Sequence, residues 1–583
     1  MDHQKKSACL KLLVVLTAGA LVPAMRAAQA TASDDLKAAH ILNVRDYGVV
    51  GDGKTLDTPA IAKAIKACSE AGGGTLVFPP GEYLAGTFEL LSNVTLQLEA
   101  GAVIRGSKDL ADYGSLAEYG FGRIYGVDSS GEGQKVGLIV ARNAKNIAIV
   151  GRGAIDGSGD DFFDFATPHV APDFEARYTR QGKDFMHAKF GTDDGPVEIK
   201  ASGRPGTMII FANCQNVLVR DVTLRNAPNW TFHLANCEGA VVSGIHIRNN
   251  LLIPNNDGID CVGSRNIRFS DGDIRAGDDD FAIVGSENVT VTNCTLVSRS
   301  SAIRLEDTRY STFQNLVIRS NRGIGIYQRG RDVTENVLFS DIVMETRLHT
   351  GHWWGKSEPL YIAASPGKGA GGRIRAVRFS NIIAEGESGI LVYGSEETPI
   401  QDLAFDRIKL RIKPSPQRIS DAVGGNFDLR WTATRLEEAV FKHDIPGVFC
   451  RYVEGLKIHG LELEWADNLP DYFSHGIQCE NFRNLEIDGF QGRQAPKSGQ
   501  TAAIALQHGS GVSIRNSQAA EGTATFLSLS DVTDQRLFVN NDLAKARKAM
   551  EPAKSSFRLY GNILPAEAKA KPLRERARSQ PKR

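Results

Sequence analysis

Between Asn213 and Phe490 the chain repeats one pattern of apolar and polar positions. A small or polar residue precedes Val, Ile or Leu, an apolar/polar alternation follows, then Gly, Asn or Asp, then a second alternating run. The pattern reads NCQNVLVRDVTLRN from Asn213, NCEGAVVSGIHIRN from Asn236, SRNIRFSDGDIRA from Ser264 and SENVTVTNCTLVS from Ser286. It continues through QNLVIRS, ENVLFSDIVME, AVRFSNIIAE, GLKIHGLELE and RNLEIDGF. Val217, Val241, Ile267, Val289, Leu316 and Val337 mark steps of 24, 26, 22, 27 and 21 residues. Period-two alternation marks strands with two unlike faces. A repeat in the low twenties made of such strands predicts an all-β chain coiled as a parallel β-helix, two or three short strands per coil. Leucine-rich repeats share the period but need a fixed Leu ladder, and WD40 blades need longer repeats.

An open stack of coils needs its ends covered, as any unpaired sheet edge does. Residues Asp57 to Ala71 (DTPAIAKAIKACSEA) predict an N-terminal capping helix. Asp57 or Thr58 can cap it, Pro59 fits its first turn, and Gly72-Gly73-Gly74 ends it. Ile61, Ala64, Ile65 and Cys68 fall on one face, which should sit on the first coil.

The length, 583 residues, exceeds a typical domain, yet a solenoid grows in one dimension and can be a single long domain. The expected division is a leader at 1–30, a β-helix at 31–542 and a basic tail at 543–583. Lys5 and Lys6, the apolar run Leu10 to Pro23, and Ala28-Gln29-Ala30 have the form of a secretory signal. Export to the periplasm or outside follows, with no membrane association after cleavage. Charge is balanced, 68 basic against 68 acidic residues, which gives no argument for nucleic acid. Loss of Cys9 with the leader leaves seven Cys. Cys214, Cys237 and Cys261 recur once per coil, as expected of small buried residues in register. Their spacing carries no zinc signature.

Chemistry concentrates between Asn255 and Val284, NNDGIDCVGSRNIRFSDGDIRAGDDDFAIV. Asp257 and the pair Asp278-Asp279 lie about one repeat apart, so stacking should put their carboxylates on one wall. Hydrolysis of a glycosidic bond needs one carboxyl protonated, to help the leaving oxygen, and another ionised, to activate water. Crowded carboxylates meet that need, because like charges raise one pKa. β-helix turns also favour Asp for backbone reasons, and Asp260, Asp271 and Asp273 are assigned to turns. Clustered oxygens could alternatively hold calcium.

Several stretches resemble glycoside hydrolase family 28, the polygalacturonase-like enzymes: NVRDYGVVGDGKTLDTPAIAKAI, TLVFPPGEY, and above all NNDGID followed one coil later by GDDDFAI. The resemblance runs from about Asn43 to about Asp542. It implies a right-handed, single-stranded parallel β-helix with no cofactor and no metal. It implies that Asp278 is the general acid, that Asp257 and Asp279 hold and activate water, and that the anomeric centre inverts. The chain departs from the family in two places. Ser300-Ser301-Ala302 stands where a Gly-His-Gly is usual, and Gly323 to Arg329 lacks the Arg-Ile-Lys segment that grips a sugar carboxylate.

Candidate sugar contacts are Arg304, about one coil after Asp279, and His233, one coil before Asp257. The loop from His349 adds Trp353 and Trp354 as stacking platforms and Glu358 as a hydroxyl partner. Residues 157–203 read as a groove wall or lid, which would favour attack from chain ends. The expected activity is hydrolysis of a pectic or related polysaccharide by a monomer. A polysaccharide lyase on the same fold and a non-catalytic carbohydrate-binding β-helix remain open.

Overall fold

The protein, seen in a computed structural model, is described over residues 40–119, 135–168, 197–328, 332–349, 355–364, 372–415, 444–498, 501–553 and 555–566. The leader, residues 169–196 of the insertion, Trp353, Trp354 and residues 567–583 lie outside the described residues. Strands one coil apart pair in parallel, and 39 of them join into one hydrogen-bonded system, a right-handed parallel β-helix. Stacking neighbours bury an interior that no coil could bury alone. Phe313, Phe339, Phe379 and Phe405 stack along it with ring centroids 4.8, 4.8 and 5.5 Å apart, near the inter-strand spacing. No helix among the described residues is long and apolar enough to cross a membrane.

The capping helix spans Thr58–Glu70 and buries Ile61, Ala64, Ile65 and Cys68, the predicted face. Asp57 does not cap it with its side chain. Its carboxylate turns back to accept from the Val50 and Gly51 amides at 2.7 and 2.9 Å, tying the preceding loop to the helix start.

One face of the helix forms the floor on which the site is built. Its strands are β1 (Phe232–Ala235), β2 (Ile259–Val262), β3 (Phe281–Val284), β4 (Ser301–Glu306), β5 (Arg322–Gln328) and β6 (Leu360–Ala364). Each pairs with the next. Ile259 pairs with Phe281 and Phe281 with Ile303, all pointing inward, so the alternate residues face out. One outward row therefore runs His233, Asp260, Ala282, Arg304, Gly325 and Tyr361.

The register differs from the sequence expectation in detail. Val217 pairs with Ala240, not Val241, which is 41% exposed, and Leu316 pairs with Cys294 rather than standing on the Val289 row. Adjacent apolar residues leave a one-residue slip undecided from sequence. Cys214 and Cys237 occupy successive rungs, as Gln215 pairs with Glu238, but Cys261 pairs with Leu234 in β1, and Ser264 and Ser286 continue the cysteine row. All seven cysteines described are free and buried.

Paired strands continue past 543, where the tail was expected to start. Ala546–Glu551 and Arg558–Tyr560 both pair in parallel with Thr523–Val539, so the stack continues through them. Their basic residues are exposed on outward positions, while Ala546 and Phe557 close the core.

Candidate active site

The loops entering β2 and β3 carry the acids. Gly258 N donates to Asp279 O at 2.7 Å, and Ile259 N to Asp280 O at 2.9 Å, so Asp257 stands one rung below Asp279. Asn256 locks the two loops together: its Oδ1 accepts from Gly277 N at 2.7 Å and its Nδ2 donates to Asn250 O at 2.8 Å. Asn249 ties the same loop to β1, donating to Thr231 Oγ1 and to Asn256 O. The insertion contributes from outside. Phe162 and Phe163 pack with Tyr113 against Ile253, and Arg204 donates to Pro254 O at 2.9 Å. Side chains held by such contacts form a preorganised constellation.

The result brings Asp257, Asp278 and Asp279 together. One oxygen from each lies within 4.8 Å of the others, and all three residues are buried. Their environments differ. Burial pushes the Asp278 carboxyl up to about 7, and the neighbouring Asp279 charge adds to the rise. Burial also raises Asp257 well above the usual range, reinforced by Asp278, Asp260 and Asp279. Asp279 is raised by burial too, but Arg304 opposes the rise, as does the Ser301 amide, which donates to Asp279 Oδ1 at 3.1 Å. Crowded, buried carboxyls do not all ionise easily, and a nearby cation favours the charged form.

Asp260 is a fourth member that its sequence setting disguised as a turn residue. It lies in β2, directly above His233 and two rungs below Arg304, with Ala282 between. It is fully buried, neither carboxylate oxygen has a hydrogen-bond partner, and burial raises its pKa well above the usual range. Arg304 is the main opposing influence. The signal was available: Ile259 and Cys261 on either side are strand residues facing inward, which points Asp260 outward onto the floor. Asp280 is also buried and raised well above the usual range, from burial and Asp279.

The other expected contacts fare unevenly. Arg304 lies at the site, 3.9 Å from Asp279 and 3.7 Å from Glu306. His233 is at the floor but fully buried, its ring edge-on to Trp230 and its pKa driven down to about 3 by burial. It supports the floor as a neutral imidazole rather than meeting solvent. Glu358, expected to bond a sugar hydroxyl, is instead wholly buried. It accepts from Arg322 Nε and Nη2, both at 3.2 Å, and from Lys356 N at 2.7 Å. Arg322 in turn lies over the Tyr361 ring at 3.9 Å. A buried carboxylate needs a paired cation, and this one has it inside the wall.

Residues 68–298 match the family model described as glycosyl hydrolases family 28. Over that stretch the chain is similar to that family. The match contains Asp257, Asp278 and Asp279 and ends at Ser298. A probable polygalacturonase of Vitis vinifera is 29% identical over 252 residues, 42% of this chain and 44% of that protein. An exo-poly-alpha-D-galacturonosidase of Dickeya chrysanthemi is 29% identical over 255 residues, 41% of each. The matched segment thus spans less than half the length of these relatives. A family 28 exopolygalacturonase structure from Yersinia enterocolitica superposes with a TM-score of 0.54, covering 77% of this chain and 78% of that one at 18% identity, a likeness of fold.

Proposed function

We propose that this protein is an exported glycoside hydrolase that cleaves glycosidic bonds in a pectic or related polysaccharide. The observation that carries the reading is the triad Asp257, Asp278 and Asp279 within 4.8 Å, with burial raising all three and the Arg304 guanidinium 3.9 Å from Asp279. Asp278, protonated up to about neutrality, gives its proton to the glycosidic oxygen as the C–O bond breaks. Asp279, ionised, takes a proton from water as that water attacks the anomeric carbon. Asp257, protonated, donates a hydrogen bond that holds the water. The leaving sugar departs as a neutral alcohol, and the two carboxyls exchange protonation states before the next turnover. Inversion is taken from the family resemblance. The anomer first formed, read by proton NMR, decides it. The leader-like first thirty residues support export.

The test is release of reducing ends from polygalacturonate and from neutral hemicelluloses by the purified chain. Hydrolysis gives reducing ends without an ultraviolet-absorbing unsaturated product. Such absorbance would mean a lyase, and binding without new ends would mean a non-catalytic carbohydrate-binding protein.

A further inference from the structure

The two ends of the solenoid are finished differently. The amino-terminal end is closed by the helix Thr58–Glu70, whose apolar face is buried. At the other end the last strands are Ala546–Glu551 and Arg558–Tyr560. They pair with Thr523–Val539 below and, among the described residues, with no strand above. The core is left open there. Leu559 pairs with Phe538 and Met550 with Leu527, and both partners are buried, so Leu559 and Met550 hold core positions of a final coil. Leu559 is nevertheless 62% exposed, and Tyr560 beside it is 78% exposed. Ile563 and Leu564 follow, also exposed. Phe538, Met550, Pro552, Leu559 and Leu564 line a hollow of about 810 Å³. Scattered exposed apolar residues are ordinary, but a contiguous apolar hollow marks a contact surface.

Its rim is cationic. Arg547 and Lys548 line the hollow, and Lys545 and Arg558 are exposed on the same coil. Glu551 is the one acid lining it, 3.4 Å from Lys548. The chain as a whole is balanced, 68 basic against 68 acidic, yet from Leu543 to Arg583 twelve basic residues face three acidic ones. Cations on an edge strand oppose pairing with a second copy, which would bring Arg547 and Lys548 against like charges. A purely polar polyanion would satisfy the cations and leave Leu559, Tyr560, Ile563 and Leu564 in water. A surface with anionic headgroups over hydrocarbon satisfies both. The Tyr560 ring, apolar with a polar tip, suits such a boundary.

We propose that the carboxyl-terminal end of the solenoid docks on the surface of an anionic lipid bilayer. Leu559, Tyr560, Ile563 and Leu564 enter the boundary between headgroups and acyl chains, and Arg547 and Lys548 meet the lipid phosphates. The inference is independent of the hydrolase reading. Attachment is peripheral, since no helix among the described residues is long and apolar enough to cross a membrane. It departs from the expectation of no membrane association, because neither overall charge nor spanning length registers an unclosed coil. Eight successive strand pairings lead from Arg304 to Glu551, roughly 40 Å at about 4.8 Å per rung. A chain docked by this end holds its acids about that far from the lipid.

Co-sedimentation with vesicles tests this. The chain is used without residues 1–30, whose apolar run would itself bind lipid, and with its carboxyl terminus intact. Vesicles of equal parts phosphatidylcholine and phosphatidylglycerol should carry it down at low salt. Vesicles of phosphatidylcholine alone should bind it about tenfold less or weaker still. Leu559→Ser/Tyr560→Ser and, separately, Arg547→Gln/Lys548→Gln should each lower the partition coefficient about tenfold or more. Neither should lower the melting temperature, because all four side chains are exposed. Tyr560→Ser alone should weaken binding by a smaller factor. Failure of the parent chain to bind the anionic vesicles overturns the proposal. Binding that Leu559→Ser/Tyr560→Ser leaves unchanged also overturns it, and would make this end a general polyanion site. A dimer in sedimentation velocity that the same substitution dissolves overturns it in favour of a second copy. Reducing-end release, assayed without vesicles, reads hydrolysis separately and should be equal in all these chains.

Discussion

The guanidinium of Arg304 lies 3.9 Å from the carboxylate of Asp279, reaching across from the rung above. This contact opposes the rise that burial imposes on Asp279, the carboxyl proposed as the base. Removing it should raise the Asp279 pKa. In Arg304→Gln the ionised base then appears only at higher pH, so the acidic limb of the kcat/KM profile should move upward by about one unit or more. A pH–rate profile on a polymeric substrate checks this.

The general acid predicts the opposite limb. Asp278 must carry its proton, and its carboxyl is raised to about 7. Activity should therefore fall as pH rises through about 7, with kcat more affected than KM. An alkaline limb that stays flat to pH 9 would assign the acid to another group.

The buried carboxyls also shape stability. Asp257, Asp260, Asp278, Asp279 and Asp280 all have folded pKa values above the unfolded one. The folded chain then binds more protons than the unfolded chain from about pH 4 upward, and stability falls as pH rises through that window. Melting temperature should drop between pH 5 and 8. Asp260→Asn, which replaces a protonated acid by an amide of the same shape, should flatten the drop and melt higher than wild type at pH 8. A melt series across pH reads both slopes.

Glu358 and Arg322 make a pair that is 0% exposed on both sides. Glu358→Ala leaves the guanidinium buried without its carboxylate and should cost about 3–5 kcal/mol in denaturant unfolding. A change within about 0.5 kcal/mol would mean that Arg322 is solvated and that the pair does not brace the wall.

Much of this architecture was legible in the residue order, and the failures have physical causes. Alternation and the repeat of about two dozen residues announce the coil, and the capping helix shows the apolar face its spacing predicts. Asp257 and Asp278-Asp279 could be paired because one coil separates them and the backbone ladder then fixes their rungs. Asp260 was harder to read, since Asp two residues after Gly suits a turn as well as a strand, and only its inward neighbours Ile259 and Cys261 betray it. Glu358 misled because its partner Arg322 lies 36 residues earlier, a separation no local pattern encodes. The one-residue slip at Val241 shows the same limit: two adjacent valines fit either face until the coil below is known.

The central claim is that Asp278 and Asp279 divide the work of one hydrolytic step, and it is tested most directly by kcat for reducing-end release in Asp278→Asn and Asp279→Asn. The account predicts that each loses about a hundredfold to ten-thousandfold while melting no lower than wild type near neutrality. Near-wild-type kcat in either variant, on a polymer that the wild-type chain cleaves, would contradict it.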